Sequence, residues 1–245
     1  VGWIGVSWAY GLAAALSILA VVLLAGLPKD EPRSGPQRDL LHDLGEGARF
    51  AAGHDLLRPI LLTAVFFNLS WFILQAVYVA YAVQTLGLSA TEVGATLGIY
   101  GAGMIVGAAL APAIARRLSF GALVLLGPLC GLCAASVMLA TLWLPSVVLV
   151  GTSFFLFGVG PIIWTISTMT LRQAVTPNAM LGRVSALIMT ATFGARPLGA
   201  AIGAAVAAQA GTAACLALAT VGFLIQLLVI GFSRVPRLRD IAELA

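Results

Sequence analysis

Charge is what this sequence has least of. Only 9% of its 245 residues are Asp, Glu, Lys or Arg, against about 25% in soluble domains. The runs 1–28, 59–91, 93–115, 118–171 and 197–233 contain none of the four, and lysine occurs once, as Lys29 between two runs. With 61% hydrophobic residues and a mean hydropathy of +1.06, a soluble globule of this length would lack the polar groups to cover its own apolar surface. A soluble domain is excluded.

Carboxylates are scarcer still where they would matter most. Eight of the nine acidic residues fall within 28–58 or 234–245, and the ninth, Glu92, stands at the start of a run. Proton relays inside a membrane use ionisable side chains there, and these runs offer no Asp or Glu. There are three cysteines and two histidines. Cys130 and Cys133 form a "CGLC" with no further ligands nearby; with Cys215 they are read as small apolar side chains. His42 and His54 have no metal-ligand spacing. No Ser/His/Asp arrangement or phosphate-cradling loop with its Lys occurs, so neither an enzyme, a cofactor nor a metal site is expected.

What remains is lipid-soluble helix. A span needs about 20 apolar residues, so the runs divide into seven: 1–27, 60–84, 93–115, 120–141, 146–171, 184–208 and 212–233. Barrel strands would alternate polar and apolar residues, and these runs do not. The expected fold is all-α and integral to the membrane, with seven transmembrane helices. Basic residues set the sidedness. Twelve of the thirteen lie in alternate connections or the tail, while "TLGLSATE", "TLWLPS" and "AQAGTA" hold none. Basic loops stay cytoplasmic, which places the start of the chain outside and its end inside. The net charge of +4 then describes a cytoplasmic face that attracts anionic lipid head groups, with no nucleic acid implied. Within 28–58, Leu40, Leu44 and Ala51 recur at helical spacing. This suggests an amphipathic helix, either at the membrane interface or as a solvated linker.

The thirteenth basic residue is Arg196, in "TFGARPLGAA". It lies twelve residues into the sixth span, about 18 Å along it and so near the midplane. An arginine there costs about 2.5–3.5 kcal/mol on insertion scales. Besides an interaction with a missing segment, two ways to hold it are open. Pro197 leaves the Phe193 carbonyl without its helical partner, and the guanidinium could cap it; alternatively Arg196 faces a watery cavity and attracts an anionic or hydrogen-bonding substrate. Other cavity candidates are polar or aromatic. Asn68, Trp71, Gln75 and Tyr78 fall within an arc of about 80° on the second span. Tyr100 lies in the third span, and Trp164 and Thr168 follow a break at Pro161 in the fifth. Small residues four apart, Gly94 with Gly98, Gly103 with Gly107, Gly127 with Gly131 and Gly199 with Gly203, suit close helix packing.

One span, a basic loop and six further spans ending inside resemble the sixth to twelfth helices of a major facilitator superfamily transporter. The stretch "LRQAVTPNAMLGRVSALIMTATFGARPLGAAIGA" and the linker "GEGARFAAGHDLLRPILL" are similar to the bacterial drug-efflux branch that includes enterobactin exporters and macrolide-efflux proteins. Arg172, Pro177, Gly182, Arg183, Pro197 and Gly199 match its pattern. The resemblance implies residues 1–27 as the helix ending an N-terminal half, 28–58 as a cytoplasmic linker, 59–233 as the six-helix C-terminal half and 234–245 as a tail. It further implies a bacterial inner-membrane exporter of amphipathic small molecules, such as drugs or siderophores. Such a transporter works by alternating access, here driven by protons through a missing N-terminal half. Arg116, Arg117, Arg172 and Arg183 would form its cytoplasmic gate by pairing with carboxylates across the interface between halves. The loop "APAIARRLSFG" departs from the family by lacking the Asp that commonly precedes such basic residues. The alternatives are a heptahelical receptor, or a truncated half-transporter without activity. The lone Lys29, outside every span, excludes a retinal protein.

Overall fold

The computed structural model describes residues 5–25 and 40–240. The outer ends of the first expected span, the Pro-rich opening of the linker with Lys29, Arg33 and Arg38, and the last five residues of the tail lie outside the described residues. Seven α-helices follow in order: α1 (Gly5–Ala25), α2 (Leu40–Gly53), α3 (Leu57–Gln84), α4 (Ala90–Ala115), α5 (Phe120–Ala140), α6 (Val147–Val175) and α7 (Leu181–Gly231). A 3-10 turn, Val235–Arg237, closes the described chain. In lipid a backbone must satisfy its own hydrogen bonds, and a helix does so within one segment. Five of these helices are long and apolar enough to cross a bilayer; the 28 residues of α3 reach about 42 Å.

Short polar connections set where the helices begin. Ser89, Ser119 and Ser146 each precede a helix and accept a hydrogen bond from a backbone N–H in its first turn. At Ser89 the capping box is complete: the Glu92 carboxylate accepts from the Ser89 N–H at 2.8 Å while Ser89 Oγ accepts from the Glu92 N–H at 3.3 Å.

α7 is two spans in one continuous assignment. Gly211 sits at φ 81°, ψ 176°, a conformation open essentially to glycine alone. The chain reverses there. Cys215 Sγ lies 3.1 Å from the Gly203 carbonyl, whereas twelve residues of straight helix would separate those positions by about 18 Å. The two limbs of α7 restore the expected spans 184–208 and 212–233.

The helices pack through glycines. On α4, a Cβ at Gly103 or Gly107 would strike the α6 backbone at Phe155 or Val159; on α7, one at Gly203 would lie 2.9 Å from the Ile73 carbonyl of α3. The expectation fails for Gly94 and Gly98, which have open space around them. Spacing places two glycines on one face, but no neighbouring helix among the described residues covers that face. The core that results joins α3, α5, α6 and α7 around Tyr78, Met138, Phe154, Phe157 and Phe223.

α2 realises the helix expected in the linker, and it is docked. Ala51 is fully buried against Leu57 and Val184. A Cβ at Gly47 would lie 2.9 Å from the Arg183 carbonyl, so α2 and the start of α7 approach backbone to backbone. A freely solvated linker helix is therefore not what forms. Every described side chain of α1 is exposed.

Candidate functional site

Five helices converge on a cavity of about 200 Å³. Thr63, Phe67 and Asn68 of α3, Pro161 and Trp164 of α6, and Arg196 and Gln226 from the two limbs of α7 line it; Tyr100 and Met104 of α4 and Pro128 of α5 complete the wall. Most ligand pockets are about 300–1,000 Å³ and largely apolar with a few placed polar groups. This cavity has that character on a smaller scale.

Arg196 is held by a neutral partner. Its Nε donates to Asn68 Oδ1 at 3.0 Å. Asn68 Nδ2 in turn donates to the Ala64 carbonyl at 2.9 Å, which fixes the amide with its oxygen toward the guanidinium. The guanidinium carbon lies 4.1 Å from the Phe193 ring centroid and 5.6 Å from that of Phe72. A hydrogen bond from a charged group is worth about 1.5–3 kcal/mol, and each cation–π contact about 0.5–2. Together they match the cost of a midplane arginine without a carboxylate. Among the described residues no acidic side chain pairs with Arg196. Asn68, rather than the carbonyl that Pro197 frees at Phe193, is its described acceptor.

Of the expected cavity residues, the structure brings Asn68, Tyr100, Trp164 and Arg196 together. The other four sit elsewhere. Trp71 stacks on Tyr100 at 5.5 Å and meets Phe157 edge-on at 4.7 Å, inside the aromatic core. Tyr78 is 1% exposed, and its hydroxyl pairs with Thr96. Gln75 is half-buried and outside the cavity lining. Thr168 donates to the Trp164 carbonyl at 2.8 Å, back along its own helix. The stripe on α3 is real in angle but runs out of the cavity along its length.

Sequence reasoning missed Thr63 and Gln226. Both are 1% exposed and both line the cavity, and neither Thr63 Oγ1 nor Gln226 Nε2 has a hydrogen-bond partner. Gln226 is the one amide in 212–233, and that was the available signal.

The candidate gate arginines divide. Arg183 Nε lies 2.9 Å from Asp43 Oδ1 and its Nη1 2.5 Å from Glu46 Oε2, both on α2. Arg116 and Arg117 are exposed, and Arg172 Nε is buried without a hydrogen-bond partner. Pro161 and Pro197 lie inside α6 and α7, joined by Pro112 in α4 and Pro128 in α5.

The family model of the Major Facilitator Superfamily matches residues 1–200. The chain belongs to the major facilitator superfamily. Within that superfamily it is similar to the enterobactin exporter EntS of Escherichia coli O1:K1 / APEC, with 30% identity over 199 residues, 81% of this chain and 46% of the relative. EntS of Shigella boydii serotype 4 (strain Sb227) shows the same identity and coverage, and EntS of Citrobacter koseri is 30% identical over 201 residues. The chain spans about half the length of the curated relatives it matches. Superfamily membership accounts for the all-α membrane fold and removes the heptahelical-receptor alternative.

Proposed function

We propose that the chain is the C-terminal part of a secondary active transporter that exports amphipathic small molecules across a bacterial inner membrane. The Arg196–Asn68 pair on the wall of a part-aromatic cavity carries this reading. A part-buried cation held by a neutral amide keeps its charge uncompensated, and that charge attracts an anionic group of a substrate. Similarity to exporters over most of the chain supports the direction of transport.

The remainder of the machine follows the superfamily's mechanism. A missing N-terminal half closes the open side of the cavity, and the two halves rock about it to expose it alternately. Protons drive the cycle through residues of that half, since these spans carry no carboxylate. Arg116, Arg117, Arg172 and Arg183 act at the cytoplasmic gate, with the N-terminus of this chain outside and its C-terminus inside.

Export of a matched pair of fluorophores, one anionic and one neutral, from efflux-deficient bacteria expressing the full-length protein tests the reading. Arg196→Ala is expected to lower export of the anion about tenfold, the worth of one charged hydrogen bond, and to spare the neutral dye. Equal loss of both with poor folding would assign Arg196 to structure alone. No export of either dye by the folded wild-type protein would overturn the exporter reading.

A further inference from the structure

Three side chains that line the cavity with Arg196 carry polar atoms that the protein itself does not pair. Trp164 Nε1, Gln226 Nε2 and Thr63 Oγ1 are buried and have no hydrogen-bond partner among the described residues. They come from α6, α7 and α3, and all three residues line the same cavity. A buried N–H without an acceptor costs about 1–3 kcal/mol, and buried polar groups in folded proteins are nearly always satisfied. Three in one cavity mark a place where something else supplies acceptors.

The neighbouring helix is shaped to hold these donors. Gly127 and Gly131 are four apart on α5, and Gly127 lines the cavity. Any Cβ at Gly127 would collide with Trp164 at its own Cβ, and one at Gly131 would lie 2.9 Å from Gln226 Nε2. The two glycines leave room for the indole and the amide. Loose packing alone would leave apolar space, whereas the room here is taken by two polar side chains.

We propose that Thr63, Trp164 and Gln226 form a second, neutral subsite that receives hydrogen-bond acceptors, carbonyl oxygens above all, on the apolar body of a substrate whose anionic end is drawn to Arg196. The inference rests on the exporter reading above and narrows its substrate class to anions that bear hydrogen-bond acceptors on an apolar body. Trp164 Nε1–H can only donate, so ligands lacking an acceptor leave it unpaired, and a site built on such donors discriminates against them.

Equilibrium dialysis of the full-length protein in detergent micelles, against an empty-micelle reference, tests it with two probes. Anthraquinone-2-sulfonate and anthracene-2-sulfonate share charge and ring outline and differ in two carbonyls. The wild type is expected to hold the quinone about tenfold more tightly. Gln226→Met and Trp164→Phe should each reduce that ratio to about threefold or less, and Arg196→Ala should weaken both probes while leaving the ratio intact. Should Gln226→Met fail to fold, Trp164→Phe, which keeps an aromatic ring but loses the N–H, decides the matter by itself. Equal affinities in the wild type mean that water satisfies the donors, and overturn the subsite. So does a tenfold ratio that survives either folded variant. Arg196→Ala binding both probes as the wild type does would sink the anion-selecting role of Arg196 and leave the subsite standing; no binding of either probe sinks both.

Discussion

Arg183 and Glu46 are 137 residues apart in sequence, and their side chains meet at 2.5 Å. With Asp43 at 2.9 Å on the same guanidinium, one arginine at the start of α7 fastens the linker helix α2. The resemblance implied that this arginine pairs across the interface between halves; its described partners are both in the linker. α2 is therefore fastened to the first turn of α7 by side chains as well as by backbone contact.

Arg183→Gln should free α2 without unfolding the bundle. The three side chains are partly solvated, at 20% and 33% exposure, so each pair is worth no more than about 1 kcal/mol. Thermal stability should change little, while amide exchange across residues 40–53 accelerates. Unchanged exchange there would mean that the burial of Ala51 and the contact at Gly47 hold α2 alone.

Two glycine substitutions of identical chemistry should behave oppositely. Gly103→Ala puts a methyl group into the α6 backbone at Phe155, whereas Gly94→Ala meets nothing within 4 Å. Overpacking costs about 1–3 kcal/mol, so Gly103→Ala should lower the melting temperature in detergent. Gly94→Ala should leave it unchanged or raise it slightly, since alanine is the better helix former.

Gly211→Ala tests the reversal in α7. An L-residue at φ 81°, ψ 176° costs about 1–3 kcal/mol, and the space around Gly211 is open. The expected loss of stability is therefore conformational. Gly211→Asn should recover none of it, because asparagine's tolerance of positive φ is largely confined to the left-handed helical region. Equal stability of wild type and Gly211→Ala would mean that the chain does not turn as described.

Most of the fold was legible in the sequence, because a bilayer imposes a length and a polarity on each span that can be counted. The serines that cap α4, α5 and α6 stand in the short turns that divide one apolar span from the next. The site was legible only in part. Periodicity on α3 gives the angle of a residue about the helix, and Asn68 and Tyr78 fall within one arc of about 80°; ten residues of rise, about 15 Å, carry one into the cavity and the other into the aromatic core. Thr63 and Gln226 escaped notice because their significance lies in what they do not bond, and an unpartnered atom leaves no mark on a sequence. The same holds for Gly127 and Gly131, whose spacing was visible but whose neighbours, Trp164 and Gln226, were not.

Sidedness can be read directly. Cysteine placed at Ser89, on a background lacking Cys130, Cys133 and Cys215, should react with a membrane-impermeant maleimide on intact cells. Cysteine at Arg117, which is exposed at the opposite end of α4, should react only after the cells are opened. The same compartment for both would break the alternation of basic loops and remove the orientation proposed here.

The sharpest test of the cavity replaces one atom group. Asn68 gives Arg196 an acceptor without a charge. Asn68→Asp keeps the size and the acceptor but adds a carboxylate, so the guanidinium would be neutralised where it now stands. A hydrogen-bonded ion pair out of water is stronger than the neutral pair, and folding stability should hold or rise. Binding of an anion such as anthracene-2-sulfonate should nevertheless fall by about tenfold, because the ligand must now compete with a fixed carboxylate. Asn68→Leu separates charge from structure in the other direction. It strips the acceptor from a part-buried cation, and should cost about 1.5–3 kcal/mol of stability. If Asn68→Asp binds the anion as well as the wild type does, the positive charge of Arg196 is not what the cavity offers its ligand.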